Sequence, residues 1–215
     1  MTSSPRSPSG ARLLDVGRSK APEGVVLVLH GGAQRREPTA VRATQLSVIR
    51  MIPIARAIER AGRGRLAVHR LLNSYRGWNT DHTPTGDVAW ALAELRERYG
   101  DLPVTLVGHS LGGRAALIAG AADASVRGVV ALNPWVYPSD DAPLEGRSVL
   151  IVHGDADRIA PLVRSQEVAG RLARRTDVRV EIVRGGRHAM LGTATIYEQH
   201  TTSFVAHLLL GPGRR

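Results

Sequence analysis

The chain has 215 residues, of which 43% are hydrophobic, 22% charged and 4% aromatic. This length suffices for one domain with a well-buried core and is too short for two domains of typical size. Cysteine is absent, which excludes disulfide scaffolds, thiolate zinc sites and cysteine nucleophiles. No apolar run reaches the ~18 residues that span a bilayer, and residues 1–30 lack the apolar segment of a secretory signal. We therefore expect a cytoplasmic protein with no membrane partner.

The formal net charge is +10, because 29 Lys and Arg residues stand against 19 Asp and Glu residues. Such a balance raises the question of nucleic-acid binding. Lys20 is the single lysine, however, and the arginines are spread along the chain instead of forming one stripe with interleaved aromatic residues. We interpret the excess as a compositional bias toward arginine and predict no nucleic-acid partner.

Short β-branched runs alternate with longer amphipathic stretches, which predicts an α/β fold with parallel strands joined by crossover helices. Residues 11–210 are expected to form a single domain, with a disordered lead over 1–10 and a flexible tail over 211–215. Arg12–Val16 is a weaker candidate for an antiparallel edge strand. Most of the six stronger candidates are apolar throughout, as expected for strands covered on both faces; they are Val25–His30, Leu66–Leu72, Val104–Gly108, Val126–Leu132, Ser148–His153 and Val178–Val183.

Helices are predicted between these strands, on both faces of a mostly parallel sheet of about six to seven strands. The stretch Ala40–Ala61 has an amphipathic pattern that Pro53 is expected to kink or split. Thr85 is expected to cap a helix over Gly86–Tyr99. The remaining helix candidates are Leu111–Ala121, Leu162–Arg174 and Ala194–Leu210.

The motif G-x-S-x-G is present as Gly108-His109-Ser110-Leu111-Gly112, between an apolar strand and an Ala-rich helix. That context is the one in which a serine nucleophile occupies a strained strand-to-helix turn. The residues two positions before and after the serine must lack a Cβ there, so that the main chain can pass close by. The helix that follows directs its N-terminal amides toward the reacting carbon. The motif predicts that Ser110 is a nucleophile.

With this motif in place, the chain resembles the α/β-hydrolase family over roughly residues 20–210. The family's triad follows in the chain order Ser, acid, His. The segment 148–161 resembles the acid-bearing segment of the family and selects Asp157, whereas Asp155 is expected to support the loop by bonding nearby amides. Some relatives take the acid from an earlier strand end, where this chain reads Leu132-Asn133-Pro134 and has no carboxylate before Asp140.

The resemblance also implies the general base. His188 follows the strand candidate at 178–183 and a Gly-Gly turn, and it precedes the final helix, as the triad histidine of the family does. His200 and His207 lie seven residues apart on that helix and are expected to face solvent or packing. Three further histidines are interpreted as structural: His30, His109 and His153.

The segment His30-Gly31-Gly32-Ala33 follows an apolar strand and resembles the oxyanion loop of the family. This resemblance implies that the backbone N–H of Leu111, directly after the serine, is one oxyanion donor. The second donor is then the amide of Gly32 or, as the second choice, that of Ala33. Glycines in this loop would let the main chain approach the substrate closely.

Residues 133–147 leave no room for the helical lid that many relatives carry, so we expect an open site. Tyr75 and Trp78 follow one strand, and Trp135 and Tyr137 follow another, at the rim where open α/β sheets bind ligands. Core packing explains these four aromatic residues equally well as substrate contact. Arg35 and Arg36, which flank the oxyanion loop, could attract an anionic group on the substrate.

These observations favour a serine hydrolase that acts on carboxylic esters of small molecules through an acyl-enzyme intermediate. The same machinery also cleaves amides, peptides or thioesters, and a non-catalytic α/β-hydrolase fold could serve as a binding module. The full set of triad candidates argues against a binding module. The sequence lacks the motifs of zinc and nucleotide sites, so we expect no metal or cofactor. The oligomeric state is left open.

Overall fold

The computed structural model describes residues 5–32, 39–78, 84–140 and 142–211. Within these ranges the chain forms a single mixed sheet, in which every strand after the first runs in the same direction. The strands are β1 (Arg12–Val16), β2 (Gly24–Leu29), β3 (Leu66–Leu72), β4 (Val104–His109), β5 (Val126–Leu132), β6 (Ser148–Gly154) and β7 (Asp177–Val183). Their spatial order is β1-β3-β2-β4-β5-β6-β7.

Helices follow most of the strands and cover both faces of the sheet, so the predicted α/β class is confirmed. Among the described residues they are α1 (Leu46–Ile49), α2 (Met51–Gly62), α3 (Pro84–Tyr99), α4 (Leu111–Ala122), α5 (Leu162–Leu172) and α6 (Ala194–Leu210). The described part of the chain contains no helix that is long and apolar enough to cross a membrane.

The core consists of two apolar layers, one on each face of the sheet. Successive side chains of a strand point to opposite faces, so in β2 Val25 and Leu27 enter one layer while Val26 and Val28 enter the other. Helices α3, α4 and α5 cover the first layer, and α2 and α6 cover the second. Burial on both faces explains why the central strands are continuous apolar runs.

The helix predicted over 40–61 is shorter than expected and is divided at a different residue. It begins at Leu46, and the division falls at Arg50 instead of Pro53. Pro53 is the third residue of α2, where an N–H would have no acceptor within the helix, so proline is tolerated there. The cap predicted at Thr85 is also wrong, because α3 already begins at Pro84. The helix predicted to end at 174 ends at Leu172.

Residues 5–10 differ from the disordered lead expected over 1–10. This segment folds back on β1, where Arg6 forms a bridge with Arg12. The Ser7 Oγ accepts a hydrogen bond from the Ala11 N–H at 2.9 Å, and the Leu13 N–H donates to the Pro5 carbonyl at 3.2 Å. These pairings extend the edge of the sheet. Residues 1–4 and 212–215, which hold the rest of the predicted lead and most of the tail, lie outside the described ranges.

Candidate active site

Ser110 occupies a strained turn between β4 and α4, as the motif predicts. Its φ and ψ are 56° and −121°, a conformation that side chains other than glycine rarely adopt. The neighbouring glycines are required by close packing. A Cβ on Gly112 would lie 2.6 Å from the carbonyl oxygen of His30, and a Cβ on Gly108 would overlap the carbonyl of Gly112.

Ser110, His188 and Asp157 are joined in a row by hydrogen bonds, although they come from three separate strand ends. The Nε2 atom of His188 lies 3.0 Å from the Oγ of Ser110. Its Nδ1 atom lies 2.8 Å from Oδ2 of Asp157. The imidazole is 12% exposed and the Asp157 side chain is fully enclosed. The sequence therefore identified three side chains that the fold brings into contact.

Asp157 is held as a carboxylate. Burial alone would raise the pKa of this acid, but hydrogen bonds from His153 and His188 and from two backbone amides outweigh it. Those amides belong to Ile159 and Ala160 and donate to Oδ1 at 2.8 and 2.9 Å. The net result is a pKa well below the ordinary range, so the carboxylate is charged at neutral pH and can stabilise an imidazolium at His188.

His153 and Asp155 support the loop that carries Asp157. The Nε2–H of His153 donates to the Ala160 carbonyl at 3.0 Å and lies 3.5 Å from Oδ2 of Asp157, while its Nδ1 accepts from the Ser165 hydroxyl at 2.9 Å. Asp155 accepts a 2.7 Å hydrogen bond from the Gly185 amide. Asp155 thus bonds a nearby amide, as the sequence analysis expected.

Asn133 is a site residue whose role sequence reasoning missed. Its Oδ1 accepts hydrogen bonds from the Gly154 N–H at 2.9 Å and the Tyr197 hydroxyl at 3.0 Å. Its Nδ2 donates to the carbonyls of Arg187 at 3.1 Å and His188 at 3.2 Å. A polar residue directly after a buried strand, at the edge where the other site residues lie, is the signal that could have revealed it.

His109, which the sequence analysis interpreted as structural, also holds the loop that carries His188. Its Nε2–H donates to the His188 carbonyl at 2.7 Å, and the centroids of the two rings are 4.9 Å apart. Burial, together with the positive charge available at His188, lowers the pKa of His109 to about 3. His109 is therefore neutral, with its proton on the nitrogen that faces the loop.

Gly32 and Leu111 line the same small cavity, of about 10 Å³, which is enough for one water-sized group. Leu111 is the first residue of α4, so its N–H has no acceptor within the helix. His30 ties this region together, since its Nδ1–H donates to the Gly31 carbonyl at 2.6 Å and its Nε2 accepts from the Asn73 N–H at 3.1 Å. The two residues predicted to supply the oxyanion donors thus lie at one cavity.

Three of the four aromatic candidates at the rim, Trp78, Trp135 and Tyr137, form one group. The guanidinium of Arg114 lies 4.1 Å from the ring centroid of Trp78 and 4.9 Å from that of Tyr137, and it forms a bidentate ion pair with Asp140. Trp135 donates its indole N–H to the Tyr137 hydroxyl at 3.1 Å. Trp78 and Tyr137 thus stack on Arg114, and Trp135 is joined to them by its hydrogen bond to Tyr137.

Two of the expected substrate contacts, Trp135 and Tyr75, approach the serine and the oxyanion loop. The Trp135 main chain reaches the site, because its N–H donates to the Ser110 carbonyl at 3.1 Å. Tyr75 lines the small cavity with Gly32 and Leu111. Ala33, Arg35 and Arg36 lie outside the described residues.

The connection between β5 and β6 forms no helical lid in its described part. It runs over 133–147, and its described residues, 133–140 and 142–147, contain no helix.

The fold and the site together define the class of this protein. A strained serine after β4, an aspartate after β6 and a histidine after β7 converge at one edge of a mostly parallel sheet, in the order that α/β hydrolases use. The family model for the alpha/beta hydrolase fold matches residues 24–147. The chain belongs to this family.

Solved structures show the same fold at low sequence identity. An alpha-beta serine hydrolase homologue from Coxiella burnetii has a TM-score of 0.73 at 17% identity, with 94% of this chain and 96% of that chain covered. A serine hydrolase without a lid from Xanthomonas campestris has a TM-score of 0.73 at 16% identity, with 99% and 95% covered. Dienelactone hydrolase from Anabaena variabilis has a TM-score of 0.70 at 20% identity, with 97% and 96% covered.

One sequence relative matches over a shorter region. A protein of Synechocystis sp., provisionally named a non-heme chloroperoxidase, is 42% identical over 73 residues, which are 33% of this chain. The match spans a quarter of the length of that relative, 25%. The likeness to this relative is therefore local.

Proposed function

We propose that this protein is a serine hydrolase that cleaves carboxylic esters, with Ser110, His188 and Asp157 as its triad. The observation that carries the proposal is the continuous row of hydrogen bonds from Asp157 through His188 to Ser110. A serine is a weak nucleophile until a base within hydrogen-bond reach accepts its proton. His188 meets that condition, and Asp157 fixes the tautomer in which Nε2 is free to accept.

In the first half of the reaction the Ser110 Oγ attacks the acyl carbon, and its proton passes to Nε2 of His188. The carbonyl oxygen becomes an oxyanion, which the N–H groups of Leu111 and Gly32 stabilise. The intermediate then collapses with cleavage of the carbon–oxygen bond to the alcohol. His188 returns the proton to that oxygen, the alcohol leaves, and the acyl group remains on Ser110.

In the second half, a water molecule gives a proton to His188 and attacks the acyl-enzyme carbonyl. The same amides hold the second oxyanion. Cleavage of the bond to Ser110 releases the carboxylic acid, and the proton on His188 restores the serine hydroxyl. The enclosed charge of Asp157 stabilises the imidazolium in both halves.

Esters are proposed over amides and thioesters because the solved structures of similar fold include the dienelactone hydrolase described above and the esterase PE8, which has a TM-score of 0.66 at 20% identity. The experiment compares 4-nitrophenyl acetate, 4-nitroacetanilide and S-phenyl thioacetate as substrates for the native protein, Ser110→Ala and the matched exposed variant Ser203→Ala. Ester turnover that is lost only in Ser110→Ala supports the proposal. Faster turnover of the amide or thioester would overturn the ester assignment, and no turnover of any substrate would overturn the hydrolase assignment.

A further inference from the structure

An apolar groove adjoins the loop that carries His188. Leu46, Ile49 and Pro53 form one wall, and Ala189, Met190 and Leu191 form the other. The groove encloses about 280 Å³, and eight of its ten described lining residues are apolar. Since Ala189 follows His188 directly in the chain, one wall is continuous with the proposed general base.

Arg50 links the groove to the site by a second route. It lies between α1 and α2 and lines the groove. Its charge is close enough to His109 to act on the pKa of that ring, after the larger effects of burial and of His188. His109 in turn donates to the His188 carbonyl. Arg50 therefore both lines the groove and acts electrostatically on a ring that holds the His188 loop.

The rim of the groove leaves large apolar side chains in water. Leu46 and Leu191 are each 75% exposed, and Ile49 is 42% exposed. These are three of the eight large hydrophobic residues that are exposed in the described part of the chain. A cluster of this kind marks a binding surface more often than scattered apolar residues do.

Larger cavities elsewhere among the described residues have a different chemistry and position. One, of about 370 Å³, is lined by Arg171, Arg174 and Arg175 and lies near the amino ends of β6 and β7, away from the strand ends that carry the site. Another, of about 580 Å³, contains Arg179, His200 and His207 and lies between β7 and α6. A third, of about 360 Å³, shares Arg179 and His207 with it. The groove beside His188 combines an apolar lining with proximity to the triad.

We infer that this groove binds the alkyl chain of the alcohol portion of an ester substrate, an inference that rests on the proposed function. His188 must reach the oxygen of the leaving alcohol to protonate it, so the alcohol lies on the His188 side. The carbonyl oxygen lies on the other side, at Leu111 and Gly32. A chain in the groove covers the apolar rim, and each methylene removed from water favours binding.

The kinetic test uses two series of esters with the native protein. In one, acetate is fixed and the alcohol is lengthened from methyl to octyl; in the other, the alcohol is methyl and the acyl chain is lengthened. We expect kcat/KM to rise roughly threefold per methylene in the alcohol series until the groove is filled. A rise confined to the acyl series would overturn the assignment of the groove to the alcohol.

Variants at the rim of the groove test whether the groove causes this dependence of kcat/KM on the length of the alcohol. Leu46→Ser and Leu191→Ser change exposed rim residues, and Val163→Ser, at a residue of α5 that is 56% exposed, is the matched control. The ratio of kcat/KM for hexyl acetate to that for methyl acetate is expected to fall about tenfold in the rim variants and to stay native in the control. An unchanged ratio in both rim variants would overturn the inference.

A binding measurement keeps the inference separate from the proposed function. In Ser110→Ala, which cannot form an acyl-enzyme, 1-octanol is expected to raise the Tm and ethanol at equal concentration is not. The octanol shift should disappear when Leu191→Ser is added. If the Tm shift does not depend on the chain length of the alcohol, the groove assignment is overturned, even if the native protein cleaves esters. If the shift is seen but the native protein cleaves no ester, the proposed function alone is overturned. Dimers that Leu191→Ser dissociates would instead assign the surface to a second copy of the chain.

Discussion

The side-chain amide of Asn133 donates a hydrogen bond to the main-chain carbonyl of His188 at 3.2 Å. Through its Oδ1, the same side chain accepts from the Gly154 N–H at the end of β6. Asn133 thus connects the strand that leads to Asp157 with the loop that presents the imidazole. Because His188 must contact Ser110 and Asp157 at once, the position of its main chain determines whether the row of hydrogen bonds is complete.

Asn133→Gly is predicted to lower kcat by about 100-fold, because a small displacement of the imidazole breaks its alignment with Ser110. Glycine accepts the native φ of +42° at this position, so the variant removes the side chain without new backbone strain. Loss of four hydrogen bonds should also reduce the free energy of unfolding by roughly 1–3 kcal/mol. Steady-state kinetics and urea unfolding measure both effects.

Asn133→Ala is the companion variant. It loses the same hydrogen bonds and adds the strain of a Cβ at positive φ, so it should unfold about 1 kcal/mol more easily than Asn133→Gly. A native kcat in a folded Asn133→Gly protein would contradict the positioning role.

Asp157→Asn is predicted to lower kcat by about 10⁴-fold while the protein stays folded, because an amide neither fixes the required tautomer nor stabilises an imidazolium. Asp155→Asn is the matched control two residues away, since Asp155 bonds the Gly185 amide and not His188. The kcat of each variant on the same ester tests the choice between the two acids. A larger loss in Asp155→Asn would show that the choice is wrong.

His69 is predicted to make the folded protein sensitive to mild acid. Burial lowers its pKa to about 4, in spite of the opposing charge of Asp15. The unfolded chain, with an ordinary pKa near 6.5, binds the proton first as pH falls. The stabilising contribution is thus complete above about pH 6.5 and is lost as pH falls from there toward 4, on the order of 3 kcal/mol.

The check compares urea unfolding of the native protein and His69→Gln at several values between pH 7 and pH 4. Glutamine can replace part of the hydrogen bonding to Asp15 and Tyr99 but does not titrate. The pH slope of the free energy of unfolding should be flatter in His69→Gln by up to about 1.4 kcal/mol per pH unit. Equal slopes would refute the assigned shift.

Gly112→Ala is predicted to destabilise the protein and to abolish activity, because the new Cβ would lie 2.6 Å from the carbonyl oxygen of His30 and displace the oxyanion loop from Ser110. Gly170→Ala is the matched helical control, since a Cβ there meets nothing within 4 Å. It should stabilise the protein by about 0.5–1 kcal/mol, because alanine favours helices over glycine. Thermal unfolding and ester kinetics on both variants decide the point. A Gly112→Ala protein with native activity would refute the close-packing argument.

The strands were predictable because burial on both faces requires continuous apolar runs, and β3 and β5 have the bounds that the sequence indicates. The three triad candidates could also be predicted, since each follows a strand in a recognisable local pattern. Both predictions rest on local information. The ends of strands meet at one edge of a parallel sheet whatever their distance along the chain.

The site contacts that were missed join residues far apart in the chain. The two ends of the Asn133 side chain reach residues 21 and 54–64 positions away, so no local pattern reveals its contacts. The same reason conceals the bond between His109 and the His188 carbonyl, 79 positions apart. The division of the helix at Arg50 shows a further limit, because a proline in the first turn of a helix is compatible with it.

The most direct test of the account is the intact mass of the protein after exposure to a fluorophosphonate, which reports an activated serine without requiring the natural substrate. We predict a single adduct on the native chain and on Ser203→Ala, and none on folded Ser110→Ala. The row of hydrogen bonds from Asp157 to Ser110 is the physical reason for this expectation. A folded native protein that forms no adduct, or an adduct that persists in Ser110→Ala, would contradict the account.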